Sequence, residues 1–262
     1  ENPLDAPVAE PAMGFHIGIH RNLDPLYDFP ERRLIKNLVR DLPLRTSAMR
    51  TLGAYSNVFA IESFMDELAE AAGADPVEFR LSHLSDERGR DCIEAAAKAL
   101  RGGAEEPPEG RGWGFGFARY KNVQAYAAVG IELEVTDAAE VKLHRAVIAA
   151  DAGQVVDPDG LSAQMEGGLI QAASWALYEE VTFDQDGITS RDWDTYPIMR
   201  FDNVPDIEVI LMQRPNAPFL GAGEASSGPA GAAIANAIYN VAGIRMRRLP
   251  LTPDAIRSAA MA

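Results

Sequence analysis

Val129-Gly-Ile-Glu-Leu-Glu-Val135-Thr-Asp-Ala-Ala-Glu-Val141-Lys-Leu-His-Arg-Ala-Val147 holds two runs of alternating side chains either side of a turn. Val129, Ile131, Leu133 and Val135 alternate with Glu132 and Glu134, and Val141, Leu143 and Val147 resume the pattern after Asp137-Ala-Ala-Glu140. Successive strand side chains point to opposite faces, so a period of two predicts two strands joined by that turn.

The pattern upstream is helical. Val58, Ile61, Phe64, Met65, Leu68 and Ala69 recur at helical spacing between Asn57 and Ala72, and Gly73 supplies the stop. Asp75-Pro-Val-Glu78 starts a second helix as a capping box with proline at its first position, and Arg90 to Leu100 forms a third that carries Cys92. Asp66, Glu67, Asp75 and Glu78 read as capping and surface charge. The acidic stretch from Gly102 to Gly110 is expected to be an exposed linker. Residues 1–50 are Pro-rich and irregular, with a short strand over Phe15–His20 that places His16, Gly18 and His20 on one face. Without a third ligand nearby, that pair of histidines is better explained by hydrogen bonding than by metal.

Two glycine clusters interrupt the rest. Gly112-Trp-Gly-Phe-Gly116 lacks the G-x-G-x-x-G spacing of a dinucleotide loop and precedes strands, so it reads as a glycine-kinked strand. Asp151–Pro158 reads as a strand end and turn, and a long helix follows over about Leu161–Tyr178. Its adjacent Gly167 and Gly168 cost roughly 2 kcal/mol of helix propensity. That cost is explained by close approach of a backbone or a ligand, or equally by tight packing on the sheet. Residues 181–213 are extended, with a strand at Ile207–Met212, and Thr252-Pro-Asp254 caps a short final helix. Strands mixed with segregated helices give an α+β fold class. The expected organisation is an irregular segment and helical block over residues 1–104 and an α+β region over 110–262.

The segment with most chemistry in it is Gly221-Ala-Gly-Glu224-Ala-Ser-Ser-Gly228-Pro229, followed by the small-residue run Ala230–Ile238. Glycines let the backbone turn at a single carboxylate, and Ser226 or Ser227 with Pro229 reads as the start of a helix. The electropositive helix mouth favours an ionised carboxylate base, an anionic ligand, or both.

Composition excludes several roles. A net charge of −15 argues against a nucleic-acid surface or attraction to anionic lipid. No apolar run reaches membrane-spanning length. The single cysteine, Cys92, can neither pair internally nor form a metal cluster, so any iron–sulfur centre belongs to another chain.

Taken together, Arg45-Thr-Ser-Ala-Met-Arg50-Thr-Leu-Gly53, Glu62-Ser-Phe-Met-Asp-Glu-Leu-Ala69, Asp75-Pro-Val-Glu-Phe-Arg-Leu81, Asp151-Ala-Gly153, Gln164-Met-Glu-Gly167 and Gly221-Ala-Gly-Glu224 follow the order seen in one family. From about residue 40 onward the chain resembles the molybdopterin-binding subunits of the xanthine dehydrogenase and aldehyde oxidase family, and looks closest to the branch containing the isoquinoline 1-oxidoreductase beta subunit. The resemblance implies a molybdenum hydroxylase acting on an N-heteroaromatic ring or an aldehyde with water-derived oxygen. It implies Glu224 as the general base toward the molybdenum-bound hydroxide, which agrees with the loop's electrostatics.

By the same resemblance Arg50, Gln164, Gly223, Ala225 and Ser226 are expected at the cofactor, a molybdenum–molybdopterin in its cytosine dinucleotide form, and no residue of this chain is a metal ligand. Alternative readings make Arg50 an ion-pair partner of the helical block and Gln164 a structural hydrogen-bonder. Thr51 and Leu52 depart from the Gly and aromatic residues common in xanthine-type members, which argues against a stacked-purine pocket. Expected partners are the remaining molybdenum-subunit portion, a small 2Fe-2S subunit, a small-molecule substrate and a cytochrome or flavin electron acceptor. Family subunits are about three times longer, so the chain is expected to be a C-terminal portion that carries half an active site. The alternatives are a structural domain without cofactor and, ranked lower, a nucleotide site in a transferase.

Overall fold

The computed structural model describes residues 18–35, 42–44 and 46–261. Three helices come first: α1 (Ala54–Ala71), α2 (Pro76–Ser82) and α3 (Glu87–Arg101). The Asp75 side chain accepts from the Val77 and Glu78 amides and so caps α2, while left-handed Gly73 and Gly102 follow α1 and α3 where glycine costs least. Strands β1 (Arg111–Arg119), β2 (Tyr126–Val135) and β3 (Val141–Asp151) form an antiparallel meander. Helix α4 (Pro158–Leu177), the small hairpin β4 (Phe183–Asp184) and β5 (Gly187–Ile188), and β6 (Asp206–Leu211) follow, then α5 (Ser227–Ala242) and α6 (Pro253–Ala260). The sheet order is β1-β2-β3-β6, with β6 parallel to β3, so the connection through α4 is a crossover.

The sheet is buried on both faces. Ala127, Val129, Ile131 and Leu133 of β2 pack with Ile148 of β3 against α4 and α5. Trp113, Phe115, Phe117, Ala128 and Val147 face the other way, into a core with Cys92, Ile93 and Leu100 of α3. The expected boundary at residues 104–110 falls in an exposed segment, and the two sides of it share this second core. Burial pushes the Cys92 thiol well above its ordinary value, as fits a structural cysteine.

Three expectations are corrected here. The glycines of β1 do not kink it, since its pairing with β2 runs unbroken from Arg111↔Glu134 to Arg119↔Tyr126. They let α5 lie on the strand backbone: an added Cβ at Gly112, Gly114 or Gly116 would stand 2.4, 2.1 or 2.5 Å from the carbonyl oxygens of Ala237, Ala233 and Pro229. Gly18–His20 is a 3₁₀ turn, not a strand, because Gly53 donates to the Gly18 carbonyl and Leu52 packs against Gly18. Phe15 and His16 lie outside the described residues, as does Arg45.

Asp66 is not surface charge. It is buried with Glu62, and both pair with the fully buried Arg80, at 2.6 and 2.9 Å. This cluster covers the free edge of β1. Glu62 accepts from the Phe117 amide, Asn236 donates to the Phe115 carbonyl, and Asn240 accepts from the Trp113 amide. The edge groups that sheet pairing leaves open are thus satisfied by side chains of α1 and α5.

Candidate active site

The Gly221–Ser226 loop joins the segment after β6 to α5, and three separate parts of the chain hold it. Gly221 is fixed on both sides, its amide donating to Gln124 Oε1 at 2.9 Å and its carbonyl accepting from the Ala125 amide at 3.1 Å. The Gly223 carbonyl accepts from Arg50 Nε at 2.9 Å, Arg50 Nη2 at 2.5 Å and Gln164 Nε2 at 2.8 Å. Arg50 Nη1 also donates to Gln171 Oε1 of α4 at 3.1 Å. A guanidinium and an amide converging on one carbonyl fix the peptide just before Glu224.

Glu224 itself accepts from the Thr51 amide through Oε1 at 2.6 Å. Thr51 is a β-branched residue at φ +75°, followed by Leu52 at φ +55°. Such residues avoid the left-handed region, so the turn that aims this amide is strained, as backbone at functional sites often is. It is held by the Gly53 bond to Gly18 and by a close backbone contact that only glycine allows at position 53, where an added Cβ would lie 2.4 Å from the Ile19 carbonyl.

The serines after Glu224 do something other than cap α5. Ser226 Oγ donates to the Met165 carbonyl at 2.8 Å and Ser227 Oγ to the Gly168 carbonyl at 3.0 Å, so α5 starts without a side-chain cap. They reach α4 because Gly168 has no side chain: an added Cβ there would stand 2.3 Å from Ser226 Oγ. Gly167 differs, being exposed with nothing near its Cβ position.

The sequence-derived site residues therefore sort by exposure. Glu224, Arg50 and Gln164 are part-exposed, Gly223 is exposed, and Ala225 and Ser226 are buried. All lie on one loop or bond to it, apart from the Ser226 hydroxyl and the Ala225 side chain, which face inward. Arg50 pairs with the loop and α4 rather than with the helical block. Thr51, Gln124 and Gln171 were not singled out from sequence as contacts of the loop. Thr51 could have been found beside Arg50, but no local pattern marks the glutamines.

Among the described residues no group of three His, Cys, Asp or Glu is placed to hold a metal, and no helix is long and apolar enough to cross a membrane. A cavity of about 690 Å³ between β3, the end of α4 and the start of α6 contains no residue of the glutamate loop.

Residues 46–205 match the molybdopterin cofactor-binding domain family, and residues 7–84 match a second family of the same description. A nicotinate dehydrogenase chain of Pseudomonas putida is 40% identical over 95% of this chain, which spans 22% of that protein. The beta chain of isoquinoline 1-oxidoreductase from Brevundimonas diminuta is 33% identical over 87% of the chain and 29% of its own length. The chain thus spans less than a third of the length of these relatives. Quinoline 2-oxidoreductase from Pseudomonas putida 86 superposes over 84% of this chain and 53% of its own, with a TM-score of 0.72 at 13% identity, which speaks to fold alone. The chain belongs to the molybdopterin cofactor-binding domains of the xanthine dehydrogenase and aldehyde oxidase family.

Proposed function

We propose that this chain supplies the general base, Glu224, of a molybdenum hydroxylase that acts on an N-heteroaromatic compound or an aldehyde. The cradle around the loop fits a pterin cofactor: Gly223 and Gly167 are exposed glycines, Gly167 has open space where a Cβ would stand, and α5 starts with no side-chain oxygen on its first amides. Gln164, Arg50, Gly223 and the main chain at Ala225 and Ser226 would hold the cofactor. When bound, the molybdenum–molybdopterin supplies the two-electron oxidation of a carbon–hydrogen bond with water-derived oxygen.

The residues of this chain set up proton removal. Thr51 occupies Glu224 Oε1, which leaves Oε2 as the atom that takes the proton. Arg50 and Gln164 hold the Gly223 peptide, so the carboxylate does not have to be ordered during the reaction. The observation that carries the reading is this carboxylate, fixed by a strained backbone amide at the end of a glycine loop. The names of the relatives, a nicotinate dehydrogenase and an isoquinoline oxidoreductase, support N-heteroaromatic substrates. The cytosine dinucleotide form of the cofactor, a 2Fe-2S partner subunit, the remaining molybdenum-subunit portion and a cytochrome or flavin acceptor belong to the same proposal.

The test is Glu224→Gln in the assembled enzyme. Molybdenum content should persist while turnover falls about a thousandfold, within the range for loss of a general base. Unimpaired turnover would overturn the assignment.

A further inference from the structure

The β1–β2 hairpin tip carries a buried group that the reading above does not use. Tyr120 is 5% exposed, and its hydroxyl has no hydrogen-bond partner among the described residues. Buried polar groups are nearly always paired, so an orphan beside a functional loop calls for an explanation. Burial, and after it the Glu224 carboxylate, raises the hydroxyl above its ordinary pKa.

The same hairpin holds the loop that bears Glu224. Gln124 and Ala125 grip Gly221, and Ala125 closes the turn by accepting from the Tyr120 amide at 3.0 Å. The turn between them is strained, with Lys121 at φ +56° and Asn122 at φ +58°. Asn22 locks it, donating to the Arg119 carbonyl at 2.8 Å and accepting from the Lys121 amide at 2.8 Å. Strained, over-determined backbone beside a reacting group marks a positioning device.

We propose that Tyr120 is a positioning residue whose hydroxyl donates to the Glu224 carboxylate and holds it aligned for proton transfer. The inference rests on the general-base reading of Glu224. The other charged groups facing the pair are Arg21, which acts on the Tyr120 hydroxyl, Lys121, whose ammonium lies 5.0 Å from the Tyr120 ring centroid, and Arg50 on the Gly223 carbonyl. None of them supplies the Glu224 carboxylate with a hydrogen bond among the described residues, where its one donor is the Thr51 amide.

Tyr120→Phe in the assembled enzyme tests this. A carboxylate that loses a donor binds its proton more tightly, so the acidic limb of the kcat/KM profile should move up by about one pH unit, with molybdenum content unchanged. An unmoved limb overturns the proposal. A crystal structure of the wild-type assembled enzyme gives a readout that needs neither activity nor a variant. Tyr120 Oη should lie within about 3.0 Å of a Glu224 carboxylate oxygen. A hydroxyl donating to any other acceptor overturns the proposal. Glu224→Gln separates the two levels: full turnover in that variant defeats the base reading and this inference with it, whereas an inactive Glu224→Gln beside an unmoved Tyr120→Phe limb defeats only the role of Tyr120.

Discussion

Arg80 donates to both Glu62 and Asp66 and to the carbonyls of Glu62 and Pro76, all from a position with no exposed surface. Burial holds both carboxyls above their ordinary values, although the guanidinium pulls them down. Tyr27 adds a bond to Glu62 at 2.9 Å, and burial next to that carboxylate raises its phenol well above the ordinary value. Removing one member of such a cluster strands the others without water. Arg80→Met is therefore expected to cost about 3–5 kcal/mol, read as a lower urea midpoint at unchanged slope. A variant within about 0.5 kcal/mol of wild type would show that the cluster does not carry the β1 edge. The cluster was hidden in the sequence, where Asp66 sits on an otherwise well-read helix and its partner lies one helix away. The glycine loop and helix start around Glu224 were legible because they lie within a few residues of one another.

At the scale of elements, local signals were readable and long-range fits were not. The Asp75 and Thr252 caps, the helices on either side of Gly73, and the alternation over residues 129–147 each depend on neighbours a few residues away. The glycine row of β1 depends on α5, more than a hundred residues downstream, and so read as a kink. Gly114→Ala forces a methyl group onto the Ala233 carbonyl, and we expect a loss of about 3 kcal/mol in denaturant unfolding, as for an overpacked core. Gly167→Ala should do the opposite. The site is helical, exposed and open, so alanine should add about 1 kcal/mol of stability. If the cofactor lies over Gly167, that same variant should carry less molybdenum in the assembled enzyme; full loading together with the stability gain would move the cofactor away from this glycine.

Across the whole molecule, the helical block, the sheet and the glutamate loop meet at Asp151. Its fully buried carboxylate accepts from Arg88 Nε of α3 at 2.9 Å, from Arg214 Nε beyond β6 at 3.0 Å and from the Gly153 amide at 2.9 Å. Gly153, at φ +73°, lies against the Pro218 carbonyl, and Ala152 accepts from the Leu220 amide, so the turn beside Asp151 seats the chain that leads to Gly221. Burial raises the Asp151 carboxyl, but the bonds from Arg88, Gly153 and Arg214 outweigh it and hold the folded pKa below the ordinary value. The ionised form is then favoured by folding. The stabilisation is fully present above the unfolded value of about 3.9 and is lost as pH falls through the lower, folded one. Asp151→Asn is expected to lower stability by about 3 kcal/mol at pH 7, because it leaves two arginines short of their shared carboxylate. In urea titrations from pH 7 down to pH 3, the gap between wild type and variant should stay level to about pH 5 and narrow below pH 4. A gap that closes already between pH 7 and 5 would mean that a group other than Asp151 holds these segments together.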